Sequence, residues 1–174
     1  MSDLIDFDKL KSLVKDAVKT TFTNLQRIHQ PDELLGYALC TDDSVMTLYH
    51  VAMTQQWLSQ DDNTEFEFSP VEWDLSDRGV HFKGVATLLA ARLELEDAKL
   101  YENYLEEIIN PTFNAFVLAL LELRQEGVFA KNVFLSVIST DPSEHMLELE
   151  STANRKLNSA ELLNRFNDWH ARFG

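Results

Sequence analysis

The sequence predicts an α+β protein that forms a single domain over residues 1–174. Three observations lead to this class: an amphipathic helical pattern at the N-terminus, two apolar stretches around turn residues that indicate a β-hairpin over residues 34–53, and strongly helical segments in the second half. The chain has 174 residues, of which 45% are hydrophobic. This is enough for one full core and too little for two domains.

Apolar residues recur at steps of three and four along the first predicted helix, at Phe7, Leu10, Val14, Val18, Phe22, Leu25 and Ile28. This spacing places them on one face of the helix. Asp6 is expected to cap the first turn, and Pro31 is expected to end the helix.

The hairpin prediction depends on a change of period after Pro31. Leu34 to Thr41 is mostly apolar, the next three residues (Asp-Asp-Ser) have turn chemistry, and residues 45–53 form a second strand. Both faces of the second strand are largely apolar. We therefore expect the sheet to be covered on both sides or paired deep within the core.

A short helix is expected after the hairpin, capped by Thr54 and ending at Leu58. Residues 65–68 are expected to add a short strand, which gives a small, mainly antiparallel sheet of three to four strands. Residues 80–109 favour central helices with a break near Glu96, and Asn110 and Pro111 are expected to interrupt them.

The last third of the chain continues the alternation of helix and strand. A helix after Pro111 should end at Gly127 as its C′ residue, and residues 133–139 form the next strand. Two C-terminal helices follow over residues 143–153 and 158–173. Asn158 and Glu161 have the spacing of a capping box for the second of them.

The net charge of −14 is concentrated in one region. Eleven acids and a single base lie between Asp32 and Arg78, and seven of those acids fall in residues 61–77, which we call the acidic segment. A local negative field selects cationic partners. Nucleic acid is excluded as a partner because phosphate binding needs clustered Lys and Arg, and the basic residues here are scattered.

Hydropathy and the number of cysteines indicate where in the cell the protein is located. No apolar run approaches the ~20 residues that cross a bilayer, and the N-terminus lacks the basic and apolar regions of a signal peptide. We therefore expect a cytoplasmic protein with no membrane partner. The single cysteine, Cys40, excludes an internal disulfide and a thiolate-rich zinc site, and its apolar neighbours predict a buried thiol.

Motifs for catalysis or metal binding are weak. Oxygen-bearing residues occupy positions 1, 3, 5, 7, 9 and 12 of a calcium loop starting at Asp61, but Phe66 replaces the required glycine and Pro70 stiffens the loop. The sequence has no nucleophile elbow and no phosphate-binding glycine loop. We expect no catalytic residue, no metal and no cofactor.

An enzyme remains an alternative if carboxylates and a histidine converge near the hairpin only in the fold. A hydrolase or metal-dependent enzyme of this kind would use Asp42, Asp43, His50 and Glu72. The competing interpretation of His50 is an interior histidine with its hydrogen bonds satisfied.

The string Ser69 to Trp73 is the most distinctive short motif. Pro70 at the first position of a helical turn, capped by Ser69, would bury Trp73 as a structural plug. Alternatively, Trp57 and Trp73 form an aromatic floor beside acids, which suits a cationic ligand or a basic peptide. The candidate binding residues are Trp57, Glu65, Glu67, Phe68, Glu72, Trp73 and Asp74.

The last helix carries an apolar stripe of Leu162, Phe166, Trp169 and Phe173. Core packing and a dimer contact both explain such a stripe. The oligomeric state is therefore left open.

Several segments together resemble a known family. They are the N-terminal helix, the hairpin with its Thr-Asp-Asp turn, the Ser69 to Trp73 string, the strand Leu135 to Ser139, and the stretch Arg155 to Asn158. Over nearly the whole chain these resemble bacterial proteins grouped as Domain of Unknown Function 4303. The resemblance implies a single α+β domain of about this size and transfers no activity to particular residues.

Together these features predict a non-enzymatic acidic binding protein. The acidic segment, with its aromatic residues, would face a basic surface of a protein partner. Small acidic α+β proteins in bacteria often neutralise toxins, and that role is the expectation by analogy of fold and composition.

Overall fold

The computed structural model describes residues 5–60, 62–93 and 105–174. In these residues six α-helices pack around a three-stranded sheet, which confirms the α+β class. The helices are α1 (Phe7–Ile28), α2 (Gln55–Leu58), α3 (Lys83–Leu93), α4 (Asn110–Gln125), α5 (Glu144–Leu157) and α6 (Ala160–Phe173). The strands are β1 (Leu34–Thr41), β2 (Tyr49–Thr54) and β3 (Phe134–Ser139).

The sheet has the strand order β2-β1-β3, so β1 is its central strand. The predicted hairpin is confirmed, because β1 and β2 pair antiparallel. The sheet as a whole is mixed rather than mainly antiparallel, since β3 runs parallel to β1, from Gly36 opposite Phe134 to Thr41 opposite Ser139. A parallel neighbour needs a long crossover, and the chain between β2 and β3, which includes α3 and α4, provides it.

Alternation along β1 divides the core between the two faces of the sheet. Tyr37 and Leu39 face a cluster that α1 and α4 share, whereas Ala38 and Cys40 face a second cluster that includes Trp73 and residues of α6. The expected cover on both sides of the sheet is confirmed. Cys40 is fully buried, as predicted, and burial raises the pKa of its thiol to about 12.

Several predicted element ends are confirmed by their hydrogen bonds. The Asp6 carboxylate accepts from the Lys9 amide at the start of α1, and the Thr54 hydroxyl accepts from the Trp57 amide at the start of α2. Gly127 has φ +78°, and its amide bonds back to the Arg124 carbonyl to close α4. A left-handed residue at this point favours glycine.

The connection between β1 and β2 is longer than predicted, because β2 begins at Tyr49 rather than Val45. Its first acid, Asp42, accepts from the amides of Ser44 and Thr47 at 2.9 and 2.8 Å and from the Thr47 hydroxyl at 2.6 Å. The Asp42 side chain thus satisfies backbone amides that strand pairing would otherwise have to satisfy.

The predicted strand over residues 65–68 is wrong. Residues 63–66 (Asn63–Phe66) form a 3₁₀ turn instead. The outer edge of β2 is bonded by a later residue, since Leu75 and Ala52 exchange backbone hydrogen bonds of 2.8 and 3.3 Å. Among its described residues, the acidic segment therefore pairs its backbone with the sheet at one bridge and adds no strand.

Side chains of α5 and its C-cap cover the outer edge of β3. The Asn158 amide accepts from the Leu135 N–H at 2.9 Å and donates to the Leu135 carbonyl at 2.7 Å, and Glu150 accepts from the Ser139 N–H at 2.6 Å. The predicted capping box is therefore wrong, because Asn158 is bonded to the strand and Ser159 caps α6. An uncovered edge would leave these backbone groups unsatisfied.

Helical structure is continuous from Leu105 into α4, where an interruption at Asn110 and Pro111 was expected. A π-helical turn (Leu105–Ile109) runs directly into α4, which has Pro111 in its first turn. The change of hydrogen-bond register accommodates a residue without an N–H group. The predicted break near Glu96 lies outside the described residues.

Trp73 packs on the backbone of the central strand. Its side chain is 4% exposed, and a Cβ added to Gly36 would lie 2.5 Å from the indole Cη2. Only a residue without a side chain fits beneath the ring. The string Ser69 to Trp73 thus acts as the predicted structural plug, with Pro70 opening a 3₁₀ turn, although no side-chain bond from Ser69 caps that turn.

Replacing Gly36 with Ala is expected to lower the free energy of unfolding by about 2–3 kcal/mol, because the new methyl group overlaps the indole. Urea denaturation measures this change. Gly84→Ala is the matched control: it adds the same methyl group in α3, 3.7 Å from the nearest side-chain atom, and should be neutral or stabilising. Equal losses in both variants would contradict the close packing at Gly36.

Burial raises the pKa of Glu150 to about 7, and its bond from the Ser139 amide only partly offsets this. The folded protein therefore holds the proton more tightly than the unfolded chain does. The resulting stability is present below the usual carboxyl pKa and is lost as the pH rises towards 7.

Glu150→Gln keeps an oxygen acceptor for Ser139 and removes the charge. At pH 8 we expect this variant to be more stable than the wild type by roughly 1–2 kcal/mol, after allowance for solvent screening of a half-buried group. At pH 4.5 the difference should largely disappear. Denaturation at both pH values tests this, with Glu148→Gln on the exposed face of α5 as the control. A gain that does not depend on pH would refute the assignment.

Candidate functional site

The acidic segment is held to the core by two of its aromatic residues. The Trp73 indole N–H donates to the Phe66 carbonyl at 3.1 Å, and Phe68 packs edge-to-face on Phe134 and Phe166. Phe68 and Trp73 are only 5% and 4% exposed. Both were candidate binding residues, and the structure places them inside the second core cluster.

The other candidate binding residues lie at or near the surface. Glu65, Glu72 and Asp74 are exposed and form no ion pair with any residue that the structure describes. Glu67 instead pairs with Arg165 of α6, whose guanidinium also lies over the Phe68 ring. Trp57 is half-buried at the margin of the same core cluster.

A cleft of about 350 Å³ lies beside the C-terminal part of the acidic segment. The last turn of α1 forms one wall, residues 74–77 form another, and His50 of β2 and His81 complete the lining. Of the predicted binding residues, only Asp74 lines this cleft.

Asp77 organises the polar end of the cleft. One carboxylate oxygen accepts from the Gly79 amide at 2.9 Å, and the other contacts Nδ1 of His81 at 2.5 Å. Arg78 and Gly79, with φ of +54° and +81°, form the tight turn that makes these contacts possible. Burial would raise the pKa of Asp77, but the hydrogen bonds and the neighbouring His50 outweigh it and lower the pKa.

His50 lies behind Asp77 and is only 2% exposed. Its ring stacks parallel to Tyr37 at 5.4 Å between centroids, and the Tyr37 hydroxyl is in turn bonded to Thr21 at 2.6 Å. Burial lowers the pKa of His50, the Asp77 charge opposes this, and His81 adds to the lowering.

The Nδ1 atom of His50 lies 3.3 Å from an Asp77 oxygen but is not aligned for a hydrogen bond. It has no hydrogen-bond partner among the described residues. The expectation of a fully satisfied interior histidine therefore fails at this atom. A buried polar atom without a partner is uncommon and marks places where a ligand or water completes the structure.

The carboxylates suggested for an enzyme do not meet His50 in the cleft. Asp42 is used within the connection between β1 and β2, the Asp43 carboxylate accepts from the Ser143 amide at 3.0 Å, and Glu72 is exposed away from the cleft lining. The acid beside His50 is Asp77. Two features of the sequence could have identified Asp77: the Asp-Arg-Gly turn, and the four-residue spacing from Asp77 to His81.

Residues 5–60, 62–93 and 105–174 contain no group of three or more His, Cys, Asp or Glu side chains arranged to hold a metal ion. No helix within those ranges is both long and apolar enough to cross a bilayer. Asp61, the first position of the calcium register, lies outside them.

Comparison with known proteins gives one match. A family model described as Domain of unknown function (DUF4303) matches residues 14–159, which is most of the chain. No curated protein and no solved structure matches. The matched range includes β1 to β3, the acidic segment and the cleft residues on β2 and after it. The chain therefore belongs to the Domain of unknown function family DUF4303.

Proposed function

We propose that the protein binds a basic surface of another protein through the exposed carboxylates of the acidic segment. The observation that carries this proposal is that Glu65, Glu72 and Asp74 are exposed and unpaired with any basic side chain in the described residues. Their charge is therefore available to a partner. Electrostatic fields of opposite sign on two proteins raise the association rate and orient the partners more than they increase the affinity.

The anchoring of the acidic segment supports the same proposal. Trp73 and Phe68 are buried in the core, so the acids between and beside them are attached to an ordered backbone. A preorganised surface loses less conformational entropy on binding than a mobile loop does. Val71, at 58% exposure, and half-buried Trp57 offer apolar contact area beside the charges.

An enzymatic role has less support. Of the four residues suggested for it, only His50 lines the cleft. A toxin-neutralising role and a cytoplasmic location remain parts of the proposal. The acidic surface suits the first by analogy of fold and composition, and the free thiol of Cys40 suits the second. Nucleic acid and membranes are not proposed as partners.

Affinity capture from the native cell followed by mass spectrometry supplies a partner for kinetic tests. The triple variant Glu65→Gln, Glu72→Gln, Asp74→Asn should then associate about tenfold more slowly at low salt, because it removes three exposed charges from the contact. The difference should shrink as salt screens the field. Stopped-flow or surface-based kinetics measures the association rate constant.

The matched control removes the same total charge elsewhere. Asp16→Asn, Glu161→Gln, Asp168→Asn changes exposed acids of α1 and α6 and should leave the rate close to wild type. Equal slowing in both triple variants would show that net charge, not the acidic segment, steers association. An unchanged rate in the acidic-segment variant would refute the proposal.

A further inference from the structure

The cleft beside His50 has the size and composition of a small-molecule site. Its volume of about 350 Å³ falls at the lower end of the range for ligand pockets. Leu25, Ile28 and Leu75 supply apolar surface, and Ile28 is 64% exposed at the end of α1. A ligand with a compact apolar body would cover this surface.

The deep polar group in the lining acts as a hydrogen-bond acceptor. Nδ1 of His50 lies 3.3 Å from an Asp77 oxygen, so the negative charge favours the neutral tautomer with its proton on Nδ1 and a lone pair on Nε2. Because burial lowers the pKa of His50, the ring stays neutral near pH 7. It can therefore accept from an N–H donor without charge repulsion.

The charge around the cleft favours a cation. The lining contains the carboxylates of Asp74 and Asp77 and one guanidinium, that of exposed Arg27. The last turn of α1 forms a wall, and the C-terminal end of a helix carries partial negative charge. Asp77 already accepts from Gly79 and His81, which leaves Asp74 as the unpaired carboxylate.

We propose that the cleft binds a small organic ammonium ion with an apolar body. The ammonium group donates to Asp74 and to Nε2 of His50, and the apolar body packs against Leu25 and Ile28. The site shares Asp74 with the proposed protein contact, but the rest of its lining comes from α1, β2 and residues 75–81, so it can be tested on the protein alone.

Three ligands of similar shape and different charge separate the possibilities. Benzylamine is a cation at pH 7, benzyl alcohol is neutral and benzoate is an anion. Titration followed by proton–nitrogen correlation NMR should show benzylamine binding with a dissociation constant of about 1 mM or below. The shifted signals should come from the last turn of α1, residues 74–77 and the ring nitrogens of His50. Benzyl alcohol should bind more weakly, and benzoate should not bind.

Variants outside the core keep the test interpretable. Asp74→Asn changes an exposed side chain and should weaken benzylamine binding about tenfold, whereas Asp62→Asn, another exposed acid of the acidic segment, should not. Equal or tighter binding of benzoate, benzylamine shifts confined to other surfaces, or an Asp74→Asn variant with wild-type affinity would each overturn the proposal. Because no partner protein is present, failure here leaves the protein-binding proposal standing, and the converse also holds.

Discussion

The indole of Trp73 lies on the backbone of the central strand at the one point where β1 has no side chain, Gly36. Two residues later, Leu75 bonds to the outer edge of β2, and two residues after that, Asp77 reaches His50. Each contact brings the next within reach, because a single residue separates Trp73 from Leu75 and Leu75 from Asp77. The position of the acidic segment and the polar end of the cleft both depend on this contact.

The acidic segment contains both carboxylates, which must be solvated, and aromatic side chains, which are excluded from solvent. Its acids repel one another and need water, whereas Phe68 and Trp73 are buried. Burying an aromatic side chain contributes about 2–3 kcal/mol, which exceeds the repulsion between a few screened surface charges. The segment can therefore hold several carboxylates in fixed places.

Local chemistry allowed much of the fold to be predicted from the sequence. Periodicity gave α1 and the strands, and Asp6, Thr54 and Gly127 marked element ends that the structure confirms. One error arose where a polar side chain bonds to a distant backbone group. Asn158 has the spacing of a cap, but tertiary packing directs it to β3. The parallel direction of β3 also follows from the path of the chain, which no local pattern records.

The candidate site was harder to predict for the same reason. His50 and Asp77 are 27 positions apart, and the bridge between Ala52 and Leu75 brings them together. Among the binding candidates, composition alone could not separate acids that face solvent from aromatic residues that face the core. Exposure separates them: Glu65, Glu72 and Asp74 remain available, and Phe68 and Trp73 do not.

The covered edges of the sheet limit how another protein can attach to this one. Leu75 occupies backbone groups on the outer side of β2, and Asn158 and Glu150 occupy those on the outer side of β3. A partner that added its own strand would first have to displace these bonds, and β-augmentation is therefore disfavoured at both edges. Under the proposed function, recognition would instead proceed through side chains on helices and on the acidic segment. Such recognition would depend on the identity of individual surface residues, so substitutions there would change the partner without changing the fold.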